Sequence, residues 1–395
     1  MGCKTMTIFV TNIWNHYMTS MCPHLSDMLG EDNFRMILVS PIQKEAALKN
    51  RVSMGWKIDL PEGKWVVPNP ETVKDLENGE SIRLIEHAEV AIIESLFCNK
   101  KLFKAVDRRI KSGKLTFIAN ERFFKRYVTM WECLDPRSWW RWLWVHRRFS
   151  HQNVHYLPED HWGKEDMRFH CACKGRIWQF GCFPPVSASP VDKPCDGVFR
   201  IGWCGKISDL KHVDHIIRAV ASLPAEYRDK VHVDIIGEGT LKSMLIQLAK
   251  ELSVERQVNF LPYQPLEKIK EWMETLDCYV FPSDRREGWG VVLAEAMDKC
   301  CVPLACVEAG ATLDLIDDGF NGFVFEEGDI RRIARKIIWL IDRPSERKEM
   351  GLNAWKTMQD RSPDKAAARC LAMVDAVQSG DYGIAPDEGP FSNIG

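Results

Sequence analysis

The chain has 395 residues, 45% of them hydrophobic and 27% charged, with a formal net charge of -2. That is more chain than one hydrophobic core supports, because cores stop growing at roughly 250–300 residues, so two domains are expected. Ordinary globular composition excludes disordered, collagen-like and coiled-coil classes.

The small net charge is a cancellation. Residues 1–200 carry 29 Lys and Arg against 23 Asp and Glu, 201–395 carry 24 against 32, and 101–150 alone hold 13 basic and 4 acidic residues. A surface of one sign attracts ligands or membranes of the other. The 14 cysteines are scattered over a chain too large to need disulfide staples. No apolar run follows Met1-Gly2-Cys3-Lys4 as in a signal peptide, and no stretch reaches the roughly 18 apolar residues of a membrane span. The expected setting is a reducing cytoplasm with free thiols.

In chain order, 7–10, 36–39, 90–93 and 115–118 read as buried strands, with helices at 17–29 and 102–112, the latter stopping at Gly113. The proline-rich stretch 184–196 reads as a linker. Beyond it, strands at 199–203, 231–236, 258–260, 278–281 and 302–305 alternate with helices at 212–223, 240–252, 265–275 and 291–299. Helical segments at 329–343 and 345–377 follow. Continuous apolar strands alternating with helices imply parallel sheets covered on both faces. The expected division is an N-terminal Rossmann-like domain over 1–190, a C-terminal one over 191–378, and a disordered Gly/Pro/Asp-rich tail over 379–395.

The most specific segment is Phe281-Pro282-Ser283-Asp284-Arg285-Arg286-Glu287-Gly288-Trp289-Gly290-Val291-Val292-Leu293-Ala294-Glu295. A strand ends, glycines flank Trp289, and a helix begins near Val291. Glycines there let a ligand approach backbone N–H groups, where the helix dipole favours anions. Glu287 precedes the helix and Glu295 lies just over a turn inside it, so both carboxylates can accept hydrogen bonds from the paired hydroxyls of a sugar or ribose. On spacing alone, a capped surface helix with solvated acids is as good a reading.

With four further segments the chain resembles the retaining family 4 glycosyltransferases, the group 1 enzymes of the GT-B fold, and the Glu-x7-Glu signature is 287–295. The other segments are Ile201-Gly202-Trp203-Cys204-Gly205-Lys206-Ile207-Ser208-Asp209-Leu210-Lys211, Val233-Asp234-Ile235-Ile236-Gly237-Glu238-Gly239, Val258-Asn259-Phe260-Leu261-Pro262 and Asp318-Gly319-Phe320-Asn321-Gly322, all in family order. The resemblance implies an α/β architecture of two Rossmann-like doubly wound domains facing each other across a cleft, with C-terminal helices packing back toward the N-terminal domain. It implies transfer of a sugar from a nucleotide-diphosphate sugar, with retained configuration, to a glycan or lipid-linked acceptor in polysaccharide or glycoconjugate synthesis. Neither metal nor cofactor is expected, since cations of the protein replace the metal.

By resemblance, Lys206 and Lys211 neutralise the leaving diphosphate, with Lys206 standing where the family usually has Arg. Glu287 meets the transferred sugar and Glu295 the ribose. Gly205, Gly237, Leu261, Gly288, Trp289 and Gly290 line the donor. Trp289 stands where Phe is common, and packing is an equal reading of it. The alternative to an enzyme is a catalytically inactive nucleotide-sugar-binding scaffold.

The first half departs from the family pattern, so Asn12, His16, Asn120 and Glu121 are its acceptor-side candidates, with Glu94 beside them and a structural role the commoner outcome for each. The segment 131–149 holds five Trp and four Arg. It reads either as a helix packed beneath the sheet or as a peripheral contact on the inner face of the membrane. No nucleic-acid motif accompanies it. The cysteines at 171, 173 and 182 lack structural zinc spacing.

Overall fold

The computed structural model describes residues 6–12, 16–39, 63–67, 79–94, 96–123 and 136–395, with the side chains of 137 and 138 left aside. Residues 131–135 of the Trp/Arg segment lie outside these. Two compact units emerge: the described residues up to Pro185 together with Arg361–Gly395, and Val186–Asp360.

The first unit is a parallel sheet of β1 (Thr7–Thr11), β2 (Phe34–Leu38), β3 (Val66–Val67), β4 (Val90–Glu94), β5 (Leu115–Asn120) and β6 (Val154–Pro158), in the order β3-β2-β1-β4-β5-β6. Helices α1 (Cys22–Leu29), α2 (Glu80–His87), α3 (Lys100–Lys111), α4 (Pro136–Phe149) and α5 (Gly163–Phe169) accompany it. Buried Ile8, Val10, Ala91, Ile93 and Ile118 give the strands their apolar runs. Helix α1 starts later than its pattern predicts, at Cys22, with Pro23 in the first turn, where a missing N–H costs nothing. Asn99 caps α3 by accepting from Lys101 N at 2.8 Å.

Arg109 of α3 is wholly buried. Its guanidinium donates to Thr116 Oγ1 at 3.0 Å and to the carbonyls of Ile85, Ala88, Glu89 and Leu115 at 2.6–3.1 Å, joining α2, β4 and β5. Five donors meet five acceptors, which is what makes a buried guanidinium tolerable. Burial still draws its pKa down to about 10.

The second unit orders its strands β12-β11-β10-β7-β8-β9, all parallel. They are β7 (Phe199–Cys204), β8 (Val231–Ile236), β9 (Val258–Leu261), β10 (Cys278–Phe281), β11 (Val302–Cys306) and β12 (Phe323–Phe325). Two of its helices matter for the site, α6 (Asp214–Ala221) and α7 (Val291–Asp298). Each sheet is doubly wound, as the sequence implies.

Two boundary expectations need correcting. The second domain does not run to 378: the chain returns to the first unit at Arg361. The single helical segment expected over 345–377 is broken at Ser362-Pro363, and its last part, α8 (Pro363–Ser379), buries Ala366, Ala367, Cys370 and Met373 and packs on α1. Nor is the tail after 379 disordered. Phe391 is 0% exposed; its ring lies 5.6 Å from those of Phe180 and Phe183. Tyr382 stacks on Trp178 at 5.9 Å, and Asn393 bridges Trp178 in antiparallel fashion. One buried aromatic anchors a stretch whose composition alone reads as unstructured.

Phe391→Ala is expected to lower the unfolding free energy by about 3 kcal/mol, the cost of emptying a fully buried aromatic site. Urea unfolding checks this, and a change below about 1 kcal/mol would mean the tail does not contribute to the core.

Candidate functional site

In the second unit, strand order reverses between β10 and β7, and open parallel sheets offer ligands a crevice at that point. Tyr279 of β10 ties the two strands: Cys204 N donates to its hydroxyl at 3.1 Å, and the hydroxyl donates to Cys204 O at 3.2 Å. Beyond β7 the chain passes through Gly205, exposed Lys206, buried Ile207 and a short turn of helix over Asp209–Lys211 before α6.

The segment Gly237-Glu238-Gly239 after β8 lies flat on this loop. Gly205 N donates to Ile236 O at 3.0 Å, and Ile207 N to Glu238 O at 2.8 Å. A Cβ on Gly237 would sit 1.9 Å from Gly205 O, so only glycine fits there. Leu261, at the end of β9, accepts from Gly237 N at 3.0 Å. Gly205, Gly237 and Leu261 thus form one continuous backbone layer, and the sequence candidates among them act through main chain.

The second loop follows β10 and ends at Gly290, whose φ is +85° and where a Cβ would meet the Phe281 ring at 2.4 Å. Helix α7 then begins at Val291, with Glu295 buried inside it. Glu295 lies close enough to Cys204 and Tyr279 to raise both their pKa values, although burial is the larger cause in each.

Asp284 organises this loop. Its N–H donates to Leu210 O at 3.0 Å, and its carbonyl accepts from Glu287 N at 3.0 Å. Its carboxylate takes Arg286 Nε at 2.9 and 3.1 Å, Arg286 Nη2 at 2.6 Å and His212 Nε2 at 3.0 Å. Burial alone would raise this carboxyl, but the hydrogen bonds from Arg286 and then His212 outweigh it and hold it below the usual range. Arg286 also reaches Asp209 at 2.7 Å. The two loops are therefore cross-linked, and Lys211 Nζ is brought onto Glu287 Oε2 as an ion pair.

Of the sequence candidates, the structure joins Lys211 with Glu287 directly, sets Gly288, Trp289 and Gly290 on the same loop, and leaves Lys206 exposed on the facing turn. Trp289 is buried and its Nε1 has no hydrogen-bond partner, as is true of buried Ser283 Oγ and Thr312 Oγ1. Asn321, from the Asp-Gly-x-Asn-Gly turn, is structural: it accepts from Asp317 N and donates to Leu315 O, both at 2.9 Å. Sequence reasoning missed Asp284, Arg286 and His212, although Asp284 lies only three residues beyond the end of β10.

His212 shares two groups whose ligand atoms lie within 4.8 Å of one another, one with Asp214 and His215, the other with Asp284 and Glu327. In the second, Arg286 already engages Asp284, which makes that cluster an ion-pair network.

In the first unit, Asn12 follows β1, and His16 meets Tyr17 edge-on at 5.1 Å. Asn120 ends β5; its side chain donates to Glu121 O, and its carbonyl accepts from Tyr156 Oη at 3.3 Å. Glu121 lies near Glu94, the last residue of β4. Burial pushes the Glu94 carboxyl up to about 7, a hydrogen bond from Thr11 opposes the rise, and Glu121 adds to it.

Residues 197–357 match the family described as Glycosyl transferases group 1. The chain is 28% identical over 152 residues to N-acetyl-alpha-D-glucosaminyl L-malate synthase of Bacillus anthracis, covering 38% of each chain. It is 31% identical over 144 residues to D-inositol 3-phosphate glycosyltransferase of Mycolicibacterium smegmatis, covering 36% of this chain and 32% of that one. The likeness thus spans well under half the length of these relatives. Among solved structures, HepE of Anabaena in complex with UDP matches with a TM-score of 0.65 at 14% identity, over 93% of this chain and 99% of that one. The lipopolysaccharide outer core galactosyltransferase WaaB, in its apo form, matches at 0.62 and 16%, over 95% and 99%. At such identities the likeness is one of fold, and the fold is GT-B.

The raised Glu94 carboxyl predicts a pH effect on stability. The folded state binds this proton more tightly than the unfolded chain, so its contribution is complete below the ordinary carboxyl value and is lost as pH rises through about 7. Glu94→Gln should remove a pH-dependent loss on the order of 3 kcal/mol between pH 5 and 8, read by urea unfolding of both proteins across that range.

Proposed function

We propose that the chain is a retaining family 4 glycosyltransferase that moves a sugar from a nucleotide-diphosphate sugar to a glycan or lipid-linked acceptor, without a metal. The Lys211–Glu287 ion pair, where strand order reverses, is the observation that carries this reading. HepE, whose structures hold UDP, UDP-glucose, and UDP with glucose, supports a nucleotide sugar as donor.

An incoming diphosphate competes with Glu287 for Lys211. Once Lys211 turns to phosphate, the Glu287 carboxylate is released to accept hydrogen bonds from hydroxyls of the sugar. Lys206 and the backbone N–H groups at the start of α6 add positive potential to the same phosphates. Glu295, inside α7, is set for ribose hydroxyls, and the buried Trp289 N–H for a polar atom of the donor. In the reaction the anomeric C–O bond to phosphate breaks and the bond to the acceptor oxygen forms on the same face. The acceptor proton passes to a leaving phosphate oxygen, so no nucleophile of the protein is required. Catalysis rests on positioning and on cations facing the charge that develops on the leaving group.

Helix α4 shapes the reading of the acceptor. Its inner face is packed: Trp144 lies 4.5 Å from Phe103, and Val145 and Phe149 are buried. Its outer face exposes Trp139 (67%), Trp140 (60%) and Leu143, near Arg147 and Phe169. Interfacial indoles beside guanidinium groups suit an anionic lipid surface, and this face is proposed to dock on the cytoplasmic leaflet, where a lipid-linked acceptor resides. Among the described residues, no helix is long and apolar enough to cross a membrane.

Glu287→Ala and Lys211→Met should each reduce transfer from, or hydrolysis of, a UDP-sugar at least 100-fold in the pure protein. Full activity in Glu287→Ala refutes the site, and UDP-sugar binding without turnover in the wild type favours the scaffold alternative. Sedimentation with vesicles containing anionic lipid at low salt should carry the protein down, and Trp139→Ser with Trp140→Ser should weaken this at least tenfold. No sedimentation of the wild type overturns the docking.

A further inference from the structure

The first unit has its own point of reversal, between β1 and β4, where the same rule about sheet crevices applies. Thr11 is the last residue of β1 and Glu94 the last of β4. Val10 pairs with Ile93 and Glu94 with Ala119, which sets Glu94 between the ends of β1 and β5. Its side chain is 5% exposed. The carboxyl is hydrogen-bonded with Thr11, while Oε2 is buried without a hydrogen-bond partner. Glu121 and Cys22 are titratable groups close enough to interact with it.

A buried polar atom with no partner costs about 1–3 kcal/mol, and packing returns nothing for it. A ligand accounts for it. Glu121 beside Glu94 disfavours an anion. A metal ion needs three or more ligands, and among the described residues no such group of His, Cys, Asp and Glu includes Glu94. A hydroxyl both donates and accepts, so it suits this carboxyl in either ionisation state and the amides of Asn12, which follows β1, and Asn120, which ends β5.

We propose that Glu94 and Thr11 form a sugar-hydroxyl subsite in the first unit, in which Glu94 Oε2 accepts a hydrogen bond from a hydroxyl of the acceptor and selects which hydroxyl is presented. Only the word acceptor rests on the glycosyltransferase reading; the sugar subsite stands without it.

The test is saturation-transfer NMR of the full chain with the methyl glycosides of glucose, galactose and mannose, alongside titration with UDP. At least one glycoside should bind the wild type. Glu94→Leu should weaken that binding at least tenfold and Thr11→Val at least threefold, with UDP affinity unchanged in both. If Glu94→Leu does not fold, Glu94→Gln, which keeps the shape, should still lose at least threefold. Wild-type affinity in the Glu94 variant, or no glycoside binding to the wild type, overturns the proposal. Loss of UDP binding by the wild type strikes instead at the reading of the second unit.

Discussion

Asp284 holds a carboxylate almost wholly out of water, kept ionised by a guanidinium and an imidazole on one side of a loop crossing. Its backbone simultaneously grips Leu210 on one loop and Glu287 on its own. The pairing of the two loops of the second unit's candidate site hangs from this arrangement. Lys211 follows Leu210 directly, so fixing one fixes the other. Removing Arg286 or His212 leaves the buried Asp284 carboxylate under-compensated, which costs the folded loops stability. The site needs that rigidity because its cation and its carboxylate come from different strands.

The glycine layer supplies the other half of the constraint. Gly237 presses on Gly205 with no room for a methyl group, and hydrogen bonds between the two segments hold the loop after β7 against the sheet. The N–H groups of Gly205, Ile207 and Gly237 are spent within the layer, which holds the loop flat on the strand ends. Asp284 supplies charge and this layer supplies shape, and neither depends on which aromatic stands at Trp289.

Much of this was legible in the sequence. The strands at 231–236 and 278–281 match their expected limits: the first alternates buried Val231, Val233 and Ile235 with His232 and Asp234, and the second is the continuous apolar run Cys278-Tyr279-Val280-Phe281. The Glu-x7-Glu spacing located the loop and helix that the fold presents. What stayed hidden has physical reasons. β6, Val-His-Tyr-Leu-Pro, hides a buried His155 whose ring meets Trp178 Nε1 at 2.9 Å, and so lacks the apolar signature of its neighbours. Asp284 reads as one more loop acid until its three-dimensional partners are known. The return of the chain to the first unit agrees with the resemblance, which implies C-terminal helices packing back toward the N-terminal domain, but its position at Arg361 follows no rule of composition. Only the surface of α1 decides where it goes.

That return changes how the molecule is made. Among the described residues the second unit is one continuous stretch, Val186–Asp360, whereas the first is assembled from segments on either side of it. On a ribosome, the inner unit is complete while the outer one still lacks α8 and the Phe391 anchor. Domains ordinarily fold in the order they emerge, but here the earlier-synthesised sheet must wait with the face of α1 and the Phe180–Phe183 pair uncovered until the last stretch of chain arrives. The interval of greatest exposure to aggregation therefore falls late in synthesis, and it belongs to the unit whose strands are made first.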